Sequence, residues 1–182
     1  MVQLALARHV ATGKRIGVLM VNHGGPGASA VNFVGGGVDP ALLPRFDIVA
    51  FDPPGVGRSD PVTCLQGAAL ARYLAVDPNP DGRAGEARLL AADHRFAQAC
   101  LAHSASILGH TSTVDAARDM DLVRRALGAR KLTYVGYSYG TLLGATYAEM
   151  YGSRVRAMVL DGAVDPSVGM DSLAFAGQQA GG

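Results

Sequence analysis

The chain has 182 residues, 49% of them hydrophobic and only 17% charged. That is the length of one ordinary domain, with enough apolar material for a core, and it argues against intrinsic disorder. A formal net charge of +1, from 16 basic and 15 acidic residues, provides no basic stripe for nucleic acid and no acidic tail.

Alternating strand and helix patterns predict a mostly parallel α/β sheet with helices on both faces. Leu4 to Val10 reads as a short strand. Arg15 to Asn22 is nearly continuous in apolar residues, as a strand buried on both faces should be. It runs into His23-Gly24-Gly25-Pro26-Gly27, which neither a helix nor a strand interior tolerates. Ala28 to Phe33 suits a short helix, and Phe46 to Phe51 the next buried strand. A glycine–proline turn, Asp52 to Pro61, follows.

Residues 62–110 read as an irregular helical insert, with a turn at Pro78 to Gly82 and a helix over Glu86 to Leu108. Ser112-Thr113-Val114-Asp115 resembles a capping box. The helix it opens carries Ala116, Met120, Val123 and Leu127 on one face, and Gly128 is its expected stop. Lys131 to Gly136 is predicted as a strand, Thr141 to Tyr151 as a helix and Val155 to Leu160 as the last strand. Asp161 to Gly182 reads as turns and a small-residue tail. With no repeat and no linker, residues 1–182 are expected to form a single domain.

No run of about 18 apolar residues predicts a membrane span. Met1 to Thr12 is interrupted by Gln3, Arg8 and His9, unlike a signal peptide. Composition leaves Cys64 and Cys100 open between two free thiols and one disulfide. Paired metal-ligand spacing is missing, so neither a metal nor another cofactor is expected.

The chemistry centres on Gly136-Tyr137-Ser138-Tyr139-Gly140, a G-x-S-x-G pattern between a strand and a helix. A sharp strand-to-helix turn strains the serine backbone and exposes its hydroxyl above a helix N-terminus. Acyl transfer also needs fixed N–H donors for the developing oxyanion. Tyr139 follows the serine and Gly25 lies in the glycine loop, whereas Pro26 has no N–H to give. Asp52 to Asp60 is expected to shape the rim, with Asp52 and Arg58 bonding loop backbone.

His23-Gly24-Gly25-Pro26-Gly27, Asp52 to Ser59, the Ser138 pentapeptide and Met158-Val159-Leu160-Asp161-Gly162 occur in this order. Together they resemble the α/β-hydrolase family of prolyl iminopeptidases and actinobacterial tripeptidyl aminopeptidases. The resemblance covers nearly the whole chain, including Asp60 to Cys64 and the Cys100 region. It implies Ser138 as nucleophile, Gly25 and Tyr139 as oxyanion donors, and a Cys64–Cys100 bridge in exported relatives. It also implies a truncated form, the N-terminal catalytic half without a cap domain, since family members place an aspartate and a histidine later. Many relatives are secreted; the compartment of this chain is left open.

The serine still needs a base. Of His9, His23, His94, His103 and His110, the last is the best candidate by topology, at the same sheet edge as the serine. The expected function is a serine hydrolase, carboxylesterase or aminopeptidase-like, acting on short-chain carboxylic esters through an acyl-enzyme on Ser138. The expected partner is a small ester or peptide substrate. The alternatives are an inactive fragment that needs a missing half, or a non-catalytic binding module. The last strand, with Ala157 to Leu160, would leave an apolar edge. A second copy, the tail, or another chain carrying the missing half is expected to cover it.

Overall fold

The computed structural model describes residues 2–34 and 36–167. The end of the small-residue tail lies outside the described residues. A five-stranded sheet has the order β1-β3-β2-β4-β5. Its strands are β1 (Leu6–His9), β2 (Gly17–Asn22), β3 (Phe46–Phe51), β4 (Leu132–Tyr137) and β5 (Val155–Asp161). Only β1 runs antiparallel, pairing with β3; the other pairs are parallel. The carboxyl ends of β2, β3, β4 and β5 therefore share one edge.

The apolar runs become the central strands because both faces of the sheet are covered. On one face α3 (Thr113–Ala126) and α4 (Tyr139–Tyr151) pack against β2, β3 and β4. Met120, Leu143 and Tyr147 are fully buried there, beside Val49, Leu132 and Tyr134. On α3 the predicted Ala116, Met120 and Val123 are buried together with Ala117, Asp121 and Arg124, and Leu127 is partly buried. Ser112 caps this helix by accepting from the Asp115 amide at 3.1 Å, and its hydroxyl donates to Asp115 Oδ2 at 2.6 Å. Gly128 ends it at φ +69°. The opposite face is covered by two 3-10 helices, η1 (Ala30–Phe33) and η2 (Pro40–Leu42), over Leu19, Val21, Ile48 and Ala50.

The insert is more regular than its composition predicts. It holds α1 (Gly67–Leu74), which sequence reading passes over, and α2 (Gly82–Leu108), which starts four residues before the predicted Glu86. Eight residues of α1 carry too few helical turns for a periodic pattern to stand out. Non-helical Ser104 kinks α2. Its hydroxyl explains the kink, since it accepts from Thr63 N at 2.8 Å and donates to Thr63 O at 2.9 Å. One residue on, Cys64 is bonded to Cys100, which ties the segment before α1 to α2. Among the described residues, no helix is long and apolar enough to cross a membrane.

Two buried carboxylates fasten the amino end of the sheet. Asp47 on β3 receives Arg8 from β1, Arg15 before β2 and the Ala11 amide. Asp121 on α3 receives Arg124 at 2.8 Å, Arg154 at 2.5 Å and the Tyr147 hydroxyl at 3.0 Å, which links α3, α4 and the start of β5. Burial pushes the Asp121 carboxyl up, but the Arg124 and Tyr147 hydrogen bonds and the Arg154 charge hold it below the ordinary carboxylate range.

Candidate active site

Ser138 stands between the end of β4 and the first residue of α4, with φ +51° and ψ −123°. Ordinary L-residues avoid this backbone region, and a non-glycine residue persists there only where its surroundings over-determine it. Three contacts do so. The Ser138 amide donates to the Asp161 carbonyl at 3.0 Å, and the Ser138 carbonyl accepts from the Thr141 amide at 2.8 Å and the Thr141 hydroxyl at 2.6 Å. The Thr141 hydroxyl in turn accepts from the Val164 amide at 2.8 Å, so the segment leaving β5 is pinned to the same turn.

The flanking glycines are required by close approach. A β-carbon on Gly136 would lie 2.3 Å from the Gly140 carbonyl oxygen, and one on Gly140 would lie 2.5 Å from the Asn22 carbonyl oxygen. Buried Tyr134 donates its hydroxyl to that same Gly140 carbonyl at 2.8 Å. Burial pushes the Tyr134 phenol well up, so it stays a neutral donor.

The glycine loop at the end of β2 lies directly against this turn. A β-carbon on Gly24 would sit 2.8 Å from Tyr137 O, 3.0 Å from Ser138 Cβ and 3.3 Å from Tyr139 N. Gly24, Gly25 and Gly27 all have positive φ. The Gly24 amide is held by Asn22 Oδ1 at 2.9 Å. No hydrogen bond engages the Gly25 N–H among the described residues. Tyr139, as the first residue of α4, has no intrahelical acceptor for its N–H. Its hydroxyl meets that of Thr113 at 3.1 Å, which ties the turn to the start of α3.

Asp52 is fully buried and acts as the hinge of the rim. It accepts from the Ser29 hydroxyl at 2.9 Å, the Val31 amide at 3.1 Å and the Arg58 amide at 3.0 Å. These bonds join the segment after the glycine loop to the turn after β3. Gly57 is needed at φ +55°, since a β-carbon there would lie 2.2 Å from Asp52 Oδ2. Between the two loops and Tyr139 is a small cavity of about 100 Å³ with Pro26, Pro53, Val56 and Val62 among its walls. Sequence reading missed this cavity, because its walls come from separate loops and no local pattern marks them.

The histidines are dispersed. His23 stacks on Phe33 at 5.1 Å between ring centres, and Phe33 meets Tyr137 edge-on at 5.9 Å. The His23 Nδ1 is buried without a hydrogen-bond partner among the described residues. His9 lies on β1, at the far side of the sheet from β4. His94 and His103 are exposed on α2. His110 is exposed in the loop before α3, where its charge helps to lower the Asp115 carboxyl behind the larger effect of the Ser112 hydrogen bond. Among the described residues, no hydrogen bond joins the Ser138 hydroxyl to a histidine. No group of three or more His, Cys, Asp or Glu side chains suits a metal ion among them either.

Comparison with known proteins agrees with this geometry. The α/β-hydrolase fold family matches residues 17–180. Carboxylesterase B of Mycobacterium tuberculosis is 47% identical over 173 residues, which cover 91% of this chain and 33% of that protein. Serine protease Hip1 of the same species is 44% identical over 169 residues, 90% of this chain and 32% of that protein. A tripeptidyl aminopeptidase of Streptomyces lividans is 37% identical over 174 residues, 91% of this chain and 32% of that protein. The chain thus spans about a third of the length of the curated relatives it matches. Among solved structures, the monoacylglycerol lipase of Paleococcus ferrophilus shares the fold, with TM-score 0.54, 21% identity, and coverage of 98% of this chain and 51% of that one.

Proposed function

Because the chain belongs to the α/β-hydrolase fold family, we propose that it carries the nucleophile and oxyanion donors of a serine hydrolase acting on short, unhindered carboxylic esters. The strained Ser138 backbone, wedged against the Gly24 loop, is the observation that carries this reading. The Ser138 hydroxyl attacks the ester carbonyl, its proton is relayed to the departing alkoxide oxygen, and the C–O bond breaks to release the alcohol and leave an acyl-enzyme. Water then releases the acid and restores the serine. The N–H groups of Gly25 and Tyr139 receive the negative charge on the carbonyl oxygen, worth about 3–4 kcal/mol per donor. The small cavity beside Tyr139 favours a short substituent. The relatives' names span esterase and peptidase, and the ester is favoured because its leaving group needs less acid assistance.

The test is a fluorophosphonate probe together with an activated short-chain ester such as p-nitrophenyl acetate. The parent chain should label and hydrolyse, and Ser138→Ala should do neither. Equal labelling of the two would sink the assignment.

A second reading has its own support. The chain spans a third of its relatives, and no histidine is bonded to Ser138 among the described residues. In this reading the chain needs a complementing C-terminal segment that supplies the base. β5 supports this reading: Val159 is 57% exposed and Leu160 37% exposed on a strand that pairs on one side only among the described residues. Another chain, or a second copy, would pair along this strand and cover both residues. Without a base, oxyanion donors and binding still leave roughly 10³–10⁴-fold acceleration over water. Supplying in trans the segment of a relative that follows its matched region should raise the rate well above that level. An unchanged rate and an unchanged molecular mass would count against complementation.

A further inference from the structure

A second cleft lies at the opposite end of the sheet from Ser138. It runs between the amino ends of β2 and β4 and the end of α3, with a volume of about 410 Å³. Its lining brings four cations together, Arg15, Arg130, Lys131 and Arg156, with apolar Ile16 and Leu127 between them. Ile16, the residue just before β2, is 48% exposed.

These cations are not explained by structural pairing. Arg15 is held through Nε by Asp47 at 2.5 Å, but that single carboxylate is already shared with Arg8. Arg156 is held through Nε by the Thr133 hydroxyl at 2.8 Å, with its guanidinium 5.8 Å from the Phe46 ring centre. The terminal nitrogens of both guanidinium groups have no partner among the described residues, and neither Arg130 nor Lys131 forms an ion pair among them. Nor are they needed to satisfy the carbonyls of the loop after α3. The Arg124 guanidinium, on the same helix, already donates to Ala129 O and Arg130 O.

Two guanidinium groups fixed by Nε, with free terminal N–H pairs, match the oxygens of a phosphate group in a way that scattered surface lysines do not. The apolar walls suit a hydrocarbon body attached to that phosphate. We propose that this cleft binds a phosphate group carried on an apolar body, whether a soluble phosphate ester or a phospholipid headgroup. The site is separate from the serine chemistry and stands whether or not Ser138 is active.

Hexyl phosphate titrated by calorimetry tests the soluble source. Co-sedimentation with phosphatidylcholine vesicles, with and without phosphatidic acid, tests the lipid source. Saturable binding in either arm is expected, and the stronger arm identifies the source. Arg130→Gln and Arg156→Gln should each weaken it about tenfold or more, the loss expected for a charge-assisted hydrogen bond. Arg88→Gln on α2 removes the same charge elsewhere and should change it little. Should Arg156→Gln fail to fold, Lys131→Gln replaces it, since that side chain makes no described contact. Failure of both probes to saturate overturns the proposal. So does binding that Arg88→Gln weakens as much as Arg130→Gln, because general attraction to a cationic surface would then account for it.

Discussion

Gly136 and Gly140 pack so closely that a β-carbon on the first would lie 2.3 Å from the carbonyl oxygen of the second. The contact is backbone against side chain, so no rotamer change relieves it. Gly136→Ala should therefore destabilise the fold by about 1–3 kcal/mol or more, the usual cost of overpacking. A urea titration should show a lower midpoint than the parent. An unchanged midpoint would mean that the turn is more pliable than its geometry implies.

The strain at Ser138 gives a second prediction. Ser138→Gly and Ser138→Ala both remove the hydroxyl and should both lose probe labelling. Only glycine adopts φ +51° without a β-carbon penalty. Ser138→Gly should thus be the more stable of the two, by about 1 kcal/mol. Equal unfolding midpoints would argue that the backbone relaxes when the hydroxyl is lost.

Asp121 gives a prediction in pH. Its folded carboxyl titrates below the ordinary range, so its contribution to stability is fully present above its unfolded value, about 3.9. That contribution is lost as pH falls through the lower folded value. At neutral pH, Asp121→Asn leaves the buried Arg124 without its charge partner and should cost about 3–5 kcal/mol. The gap between parent and variant should narrow in acid. Denaturant midpoints measured from neutral pH down to acid would show it, and a constant gap would place the loss in packing rather than charge.

The Cys64–Cys100 bridge closes a loop with a sequence separation of 36. Loop-closure arithmetic gives it about 3–4 kcal/mol against the unfolded chain. Cys64→Ser with Cys100→Ser should lower the unfolding midpoint accordingly. Probe labelling of the folded protein should persist, because the bridge ties the insert and does not touch Ser138. Loss of labelling under conditions where the variant is still folded would show that the insert supports the catalytic edge.

The central architecture was legible because it rests on local chemistry. Apolar runs at β2 and β3 mark strands with two covered faces, and Ser112 with Asp115 marks the start of α3. The G-x-S-x-G pattern located the strained turn, since only glycine permits such approach on both sides of the serine. Less was legible in the insert. α1 is too short for its periodicity to register, and the kink at Ser104 depends on Thr63, which is 41 positions away in sequence. The alternative of free or bridged cysteines stayed open on composition for the same reason, because it depends on two distant backbones meeting.

What the sequence by itself determined is the kind of chain this is: an α/β sheet with a serine turn and a glycine loop, each set by the backbone freedom of particular residues. Only the tertiary structure decided how they meet. It placed Gly24 against Ser138, closed the rim around buried Asp52, and kept His110 exposed on its loop. It also gathered Arg15, Arg130, Lys131 and Arg156 into one cleft at the far edge. The physical reason is the parallel sheet, which brings the ends of distant segments to common edges that no local pattern encodes.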